Sequence, residues 1–282
     1  MICQWDSLLA VLPVWLREYV DKHREESIEE IRLRLGLFPE LDFGTKRLKV
    51  PRSVTGDDLS FCINIASRYS PWSASSVSKG FLAVRGGHRI GICGNAIIKN
   101  GVISGIGHIS SLCIRVARDI TGIAKELGAL TGSVLVIGSP GCGKTTLLRD
   151  LIRQRACQRE ENICVVDERE ELFPKNGDTF SFKMTQGVDV LSGCSKAEGI
   201  ESVLRSMGPD VIAVDEITAA ADCEAMLRSC WCGVKLLASA HAANKEELMQ
   251  RSVYRPVINS GIFDSLVILD RKKQWSVERM VK

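Results

Sequence analysis

Four short runs from residue 133 onward, SVLVIG (133–138), NICVVD (162–167), DVIAVD (210–215) and VKLLASA (234–240), are apolar on both faces instead of alternating. A strand with two apolar faces must be covered on both, and parallel sheets sandwiched between helices are where such strands occur. Longer stretches of helical texture separate the runs, so the order from about residue 119 is strand, helix, strand. The spacing predicts an α/β domain over 119–282 with a mainly parallel sheet. FDSLVILD (263–270) and QWSVERMV (274–281), around Arg271-Lys272-Lys273, should close that sheet as a hairpin.

Residues 1–118 have a different texture, that of a small mixed α/β domain built from short elements. Leu8, Leu9, Leu12, Leu16, Tyr19 and Val20 recur at helical spacing, and Pro13 implies a break within that run. Ser27 followed by Glu30 resembles a capping box, while Ile31, Leu33 and Leu35 alternate with Arg32 and Arg34; we read a helix followed by a short strand. Ser70-Pro71 and Gly80 bracket a short helix at 71–79. FLAV, the turn Gly86-Gly87-His88 and RIGICGNAII read as a hairpin, and ISSLCIRVA (109–117) as a further strand.

Composition limits the partner classes. The chain has 282 residues, 45% of them hydrophobic, and 37 basic against 34 acidic side chains, so its net charge of +3 names neither nucleic acid nor an acidic membrane as partner. Eleven cysteines occur without any C-x-x-C pair and mostly inside apolar runs, the pattern of reduced thiols in a cytosol. The N-terminus carries Asp6, no basic stretch and no small-residue cleavage site, which argues against a signal peptide. No stretch reaches the roughly 18 to 20 apolar residues of a membrane span.

Gly138-Ser139-Pro140-Gly141-Cys142-Gly143-Lys144-Thr145 satisfies G-x-x-x-x-G-K-[ST], after the strand SVLVIG and before the helix TTLLRDLIRQ. Its glycines let backbone N–H groups converge on one concavity, and the helix N-terminus adds its positive dipole there. The loop and Thr146 behind it therefore suit a triphosphate, with Lys144 on the β and γ phosphates and Thr145 on Mg²⁺. Asp215 and Glu216 end an apolar strand downstream, where one can hold Mg²⁺ and the other polarise an attacking water. Asp167-Glu168-Arg169 and His241 close two other strands and so fall at the same carboxyl edge, where open α/β sheets bind ligands. His241 suits a γ-phosphate sensor or a hydrogen bond between subunits. Arg85, Arg89, Arg115 and Arg118 lie on strands or strand ends of the first domain and are candidates to neutralise charge on a γ-phosphate.

The segment from Leu204-Arg205 through Pro209-Asp210 to Asp215-Glu216 resembles the L-R-x-x-x-P-D-x-I stretch of the type II/IV secretion ATPases. An acidic box, here Asp167 and Glu168, and a His box, here His241, accompany the phosphate loop in that family, and all four motifs occur in order. GGHRIGICG (86–94), VVDERE (165–170), VLSGCSKAEGI (190–200), GPDVIAVDEI (208–217) and ASAHA (238–242) narrow the resemblance to a sporulation branch of the family in endospore-forming Firmicutes. The family usually has Gly where this chain has Asp215, which leaves the division of labour between Asp215 and Glu216 open. The resemblance implies a RecA-like P-loop ATPase domain after the small N-terminal α/β domain, acting on ATP with Mg²⁺ as a homo-hexameric ring. The residue patterns and the resemblance together predict Lys144, Glu168, Glu216 and His241 as catalytic groups and Thr145 and Asp215 as metal ligands, and the arginine cluster just before the ATPase domain adds Arg89 and Arg115 as candidate catalytic groups. The resemblance also implies membrane-protein partners in a secretion-like sporulation complex, in the mother-cell cytoplasm or peripheral at the forespore membrane, powering a channel between the two cells. A nucleotide-gated assembly factor with little turnover, and a RecA-like nucleic-acid motor, are the alternatives. The small net charge and the lack of an aromatic-and-basic strip weigh against the motor.

Overall fold

The computed structural model of the chain describes residues 3–67, 80–176 and 178–280. It divides into two compact units, Met1–Asp119 with Pro174–Phe182, and Ile120–Phe173 with Lys183–Lys282. The chain thus returns to the first unit at Pro174–Phe182, an excursion that a single cut after residue 118 does not contain. Its cause is local. Gln4 Nε2 donates to Ser181 O at 2.8 Å, and Pro174 and Phe182 lie so close to Gly87, at φ +80°, that a Cβ there would meet them at 2.8 and 2.9 Å.

In the first unit, helices Trp5–Ala10 and Val14–Asp21 flank Pro13, as the broken periodicity predicts. The six strands β1 (Glu30–Arg34), β2 (Glu40–Asp42), β3 (Arg47–Lys49), β4 (Phe81–Ala83), β5 (Arg89–Lys99) and β6 (Val102–Arg115) form one sheet in the order β3-β2-β1-β6-β5-β4. Every pairing in it is antiparallel. Leu8, Leu12, Leu16, Ile31, Leu33 and Ile114 are fully buried in its core.

No helix starts at Ser27, which corrects the capping-box reading. Residues 27–29 are irregular and Glu30 opens β1, because the alternation of Ile31 and Leu33 buries one face of a strand more completely than a helical turn would. A box of this kind instead forms at Thr55 and Asp58: Thr55 N donates to Asp58 Oδ2 at 2.9 Å and Asp58 N to Thr55 Oγ1 at 3.2 Å. It opens a helix at Gly56–Ser67. The expected hairpin is present as β4 and β5 around a 3₁₀ turn at Arg85–Gly87. β6 is longer than the expected 109–117 strand, because Asn100 and Gly101, at φ 52° and 76°, fold β5 directly back on β6. The helix expected at 71–79 lies outside the described residues.

The second unit holds β7 (Val134–Gly138), β8 (Ile163–Asp167), β11 (Val188–Ser192), β12 (Val211–Val214), β13 (Lys235–His241), β14 (Ser265–Leu269) and β15 (Trp275–Arg279). Strands β9 (Lys175–Asn176) and β10 (Thr179–Phe180) form a separate antiparallel pair in the excursion. The sheet order is β11-β8-β12-β13-β7-β14-β15. All neighbours run parallel except the terminal pair β14 and β15. Every residue of β7, β8 and β12 is buried, as strands apolar on both faces require. β11 is an edge strand that the apolar-run pattern does not single out.

At the amino edge of this sheet a buried ion cluster ties three elements together. Arg155, fully buried on the helix Lys144–Arg159, donates through Nε to Glu161 Oε2 at 2.6 Å and through Nη1 to Leu130 O and Gly132 O at 3.0 Å. Lys235 Nζ reaches the other Glu161 oxygen at 2.9 Å. Burial alone would raise the Glu161 carboxyl, but the hydrogen bonds and charges of Arg155 and Lys235 outweigh it and hold it at about 2. A carboxylate depressed in the folded state adds stability above its ordinary value of 4.5, and that stability is lost as pH falls toward 2. Glu161→Gln should therefore destabilise the protein by about 3 to 5 kcal/mol at neutral pH, by leaving buried Arg155 without its counter-charge. It should also flatten the acid dependence between pH 4.5 and 2. Urea unfolding at pH 7 and pH 3 measures both, and equal midpoints for the two proteins would contradict the assignment.

Candidate functional site

The carboxyl ends of β7, β8, β12 and β13 meet along one edge of the parallel sheet. From β7 the chain passes through Ser139–Gly143 into the helix Lys144–Arg159, with Gly141 at φ 77° and Gly143 at φ 104°. Gly138 is required for a different reason. A Cβ there would lie 2.5 Å from Leu269 O and 2.6 Å from Cys142 Sγ, so the neighbouring β14 leaves no room for one. Cys142 is 3% exposed, within the wall of the loop rather than on its surface.

Lys144 is 5% exposed, and its ammonium has three acceptors: Gly138 O at 2.9 Å, Ser139 O at 3.1 Å and His241 Nδ1 at 2.9 Å. Burial lowers its pKa, while Cys142 and the carboxylates of Glu216 and Asp215 pull the other way. An ammonium donating to Nδ1 leaves the ring hydrogen on Nε2, and Nε2 lies 2.7 Å from Glu216 Oε1. Lys144, His241 and Glu216 therefore form one chain of hydrogen bonds across the edge.

The two acids after β12 have separate partners. Thr145 Oγ1 donates to Asp215 Oδ2 at 2.7 Å, and the fully buried Ser239 donates its hydroxyl to Asp215 Oδ1. The same Ser239 oxygen accepts from Glu216 N at 2.8 Å, and Ser239 O accepts from Ile217 N at 2.9 Å. These bonds hold Glu216 at φ 51°, a left-handed conformation that a non-glycine residue adopts only at a cost. The turn swings its carboxylate between His241 and Arg169, whose Nη1 lies 3.2 Å from Oε2.

The acidic box after β8 separates into three tasks. Asp167, 2% exposed, accepts from the backbone N–H groups of Glu171, Leu172 and Phe173 at 2.8 to 3.0 Å and so shapes its own turn. Burial raises its carboxyl to about 6 against those bonds, and the nearby Asp215 charge adds to the rise. Glu168 pairs with Lys196, itself 3% exposed. Glu168, Arg169, Lys196, Asp215 and Glu216 line one small cavity.

Lys144, Thr145, Glu168, Asp215, Glu216 and His241 are thus gathered at one edge of the second unit. Arg89 and Arg115 are gathered in the first, as cross-strand neighbours on β5 and β6. The Arg89 guanidinium lies 4.1 Å over the Phe81 ring, and Arg115 Nε is 3.6 Å from Glu30 Oε1. Arg118 donates to Glu26 O at 3.2 Å. Ser239 and Lys196 join the site without having been singled out from the sequence, and Arg169, named there only as part of the acidic turn, supplies a partner for Glu216. Ser239 alone carried a signal, as a hydroxyl inside an otherwise apolar buried strand.

Ser239→Ala removes the partner of a buried N–H and of a carboxylate oxygen together. The variant should unfold with a loss of about 1 to 3 kcal/mol, read from the denaturant midpoint. An unchanged midpoint would show that the hydroxyl bridge carries nothing.

Comparison with known proteins agrees with this architecture. The family described as Sporulation stage III, protein AA matches residues 5–279. Stage III sporulation protein AA of Bacillus subtilis (strain 168) is 33% identical over 281 residues, covering 95% of this chain and 92% of that protein. Among solved structures, the ATPase DotB of Legionella pneumophila aligns with a TM-score of 0.61 at 15% identity, over 95% of this chain and 80% of that one. The pilus retraction motor PilT, solved with bound ADP, aligns with a TM-score of 0.58 at 16% identity, over 89% and 76%. At these identities the two structures speak for the fold, a small α/β domain followed by a RecA-like domain with a mainly parallel sheet. With the family matched over nearly its whole length and a close relative covered almost end to end, this chain belongs to the Sporulation stage III, protein AA family.

Proposed function

We propose that the protein is a Mg²⁺-dependent ATPase whose turnover drives assembly of, or transport through, a secretion-like channel between mother cell and forespore. The observation that carries the reading is the 2.7 Å contact of Thr145 with Asp215, made directly beside Lys144 and Glu216. It sets a hydroxyl and a carboxylate, both hard oxygen donors, side by side at the mouth of a phosphate loop, a donor set that fits Mg²⁺. Thr145 and Asp215 would hold the ion, which neutralises charge on the phosphoryl oxygens when bound.

The remaining chemistry belongs to the protein's own groups. The phosphates of ATP offer Lys144 stronger acceptors than the carbonyls of Gly138 and Ser139, so the ammonium turns from these to the β and γ phosphates. Glu216 orients the attacking water and takes its proton, with His241 and Arg169 holding the carboxylate in place. Glu168 and Lys196 line the same cavity and set its charge. Arg89 and Arg115 neutralise γ-phosphate charge in this reading, on the strength of their place in the sequence. Membrane proteins of the sporulation complex are the partners, a homo-hexamer is the working unit, and the protein acts from the mother-cell cytoplasm or the forespore membrane surface. Among the described residues no helix is long and apolar enough to cross a membrane.

One observation favours a second reading, a nucleotide-gated assembly factor with little turnover of its own. The Lys144–His241–Glu216 chain occupies the phosphate-binding cation and the proposed base at once, so hydrolysis waits on its rearrangement. ATPase rates with and without the partner membrane proteins separate the two.

Lys144→Ala should lower turnover by ~10² to 10³, the scale of one lost preorganised charge contact. Glu216→Gln should retain MgATP without hydrolysing it, and Asp215→Asn should need more Mg²⁺ for half-maximal binding. A reversed pattern in the last pair would exchange their roles. For the arginines, Arg89→Ala and Arg115→Ala proteins should bind ATP normally and hydrolyse it slowly, because the lost charge matters mainly in the transition state. Mixing either with Lys144→Ala protein tests whether the arginine acts across subunits, since only then does activity partly return. Wild-type turnover in both arginine variants would remove them from the mechanism.

A further inference from the structure

The two longest strands of the first unit outrun the sheet that holds them. β1 pairs with β6 at Ser111–Arg115, and β4 pairs with β5 at Arg89–Gly91. One more bond continues each pairing, from Leu35 N to Ser110 O and from Ile92 N to Gly80 O. Beyond them, from Cys93 to Ile109, β5 and β6 pair only with each other among the described residues, around the turn at Asn100-Gly101. A two-stranded ribbon open on both faces and both edges is marginal in water, so this one calls for a cover.

Its register sorts the side chains onto two unlike faces. Ile98 lies opposite Ile103 and Ala96 opposite Ile106, which puts four aliphatic side chains on one face. The other face carries Lys99 opposite Val102 and Ile97 opposite Gly105, with the extra residue Ser104 in the bulge between them. Ile97 lies along that second face, since a Cβ at Gly105 or Gly107 would meet its Cδ1 at 3.8 or 3.5 Å. Ile97, Ile98, Val102 and Ile103 are 47 to 66% exposed, so the aliphatic surface is open and not folded back on the core. Lys99 is the only Lys or Arg from residue 90 to residue 114, and no acidic residue occurs from 59 to 118. A second copy of the ribbon thus brings Lys99 no counter-charge. Anionic lipid headgroups do, and the boundary between headgroups and acyl chains is two-sided in the same way, apolar below and charged above.

We infer that the β5–β6 ribbon docks directly on an anionic membrane surface, lying in the headgroup layer with Ala96, Ile98, Ile103 and Ile106 toward the acyl chains and Lys99 at the phosphates. The long stem of Lys99 lets its ammonium rise to the phosphates while Ile97 and Val102 stay in the apolar layer. From Ala96 to Lys99 the strand covers about 10 Å at ~3.4 Å per residue, a third of a ~30 Å hydrocarbon core, so the ribbon docks on the bilayer and does not cross it. Docking of this kind needs neither nucleotide nor a partner protein and stands apart from the ATPase reading.

Flotation of the full chain without nucleotide, on vesicles of phosphatidylglycerol and phosphatidylcholine in equal parts or of phosphatidylcholine alone, measures the docking. The protein should float with the anionic vesicles and be released as salt rises, and it should bind phosphatidylcholine about fivefold more weakly. The double variant Ile98→Ser/Ile103→Ser should bind anionic vesicles about 10-fold more weakly or worse, with an unchanged thermal midpoint because both side chains are exposed. Lys99→Ala should lose about fivefold on anionic vesicles and nothing on phosphatidylcholine. Hydrogen exchange of the wild-type protein should slow at residues 93–109 when anionic vesicles are added, and this decides the matter if a variant's midpoint falls. The proposal is overturned if the wild-type protein floats with neither vesicle or equally with both, if the variants float as it does, or if the protection falls elsewhere. Exchange at 93–109 that slows with rising protein concentration in the absence of lipid would also overturn it, and would give the ribbon to a second copy.

Discussion

In the parallel sheet His241 lies directly beside Gly138, and Ala238 directly beside Val214. This double register of β13 against β7 and β12 is what the candidate site depends on. It sets the end of β7 level with His241 and the end of β12 level with Ala238, three residues earlier, so that Ser239 reaches both acids after β12 while His241 reaches the lysine after β7. Side chains alternate along a strand, so Ser239 and His241 face the same way, and a slip of one residue would turn both away together. Covering the sheet on both faces prevents that slip, because every residue of β7 and β12 is buried.

The price of the arrangement is electrostatic. Lys144 and Asp167 are both nearly sealed from water, and burial pushes each toward its neutral form. Each is compensated by short bonds to the backbone, two carbonyls for the lysine and three N–H groups for the aspartate. Glu216 is held differently, in a left-handed turn and between two partners. Strain of this kind persists where surrounding contacts over-determine it, and Ser239 with Ile217 does so here. The Arg155–Glu161–Lys235 cluster at the opposite edge, with Arg155 and Glu161 buried and Lys235 partly exposed, follows the same rule, its paired charges anchoring the far end of the phosphate-loop helix.

The first unit is organised by other means. Its sheet is antiparallel throughout, and its long β5–β6 ribbon leaves Ile97, Ile98, Val102 and Ile103 about half or more exposed. Inside the core, His88 is fully buried between Gln4 O and Ala117 N, so it joins the N-terminal helix to the end of β6. Burial lowers its pKa, as expected for a neutral structural imidazole. The histidine in GGHRIG therefore belongs to packing, whereas the one in ASAHA belongs to the site, a difference that neither motif displays.

Local chain chemistry alone determined the phosphate loop, the four central strands, the acids after β12 and the hairpin at the end, because each is written in neighbouring residues: glycine conformational freedom, two-faced apolar runs, turn residues. The Ser27 capping box misled because the same few residues also fit the start of a strand, and burial of Ile31 and Leu33 decided between them. The Asn100-Gly101 turn was written in the sequence too, but the ribbon it joins lacks the alternation that marks a half-buried strand. Only the tertiary structure decided that Ser239 bridges Asp215 and Glu216 and that Arg169 and His241 hold the Glu216 carboxylate. Arg169 lies 47 residues from Glu216 along the chain and Ser239 lies 23 from it, so both pairs are brought together by strand order and not by chain distance. The order β8-β12-β13-β7-β14-β15 places them side by side. That order is set by how helices cover the sheet, a sum over many weak contacts that no single stretch of residues contains.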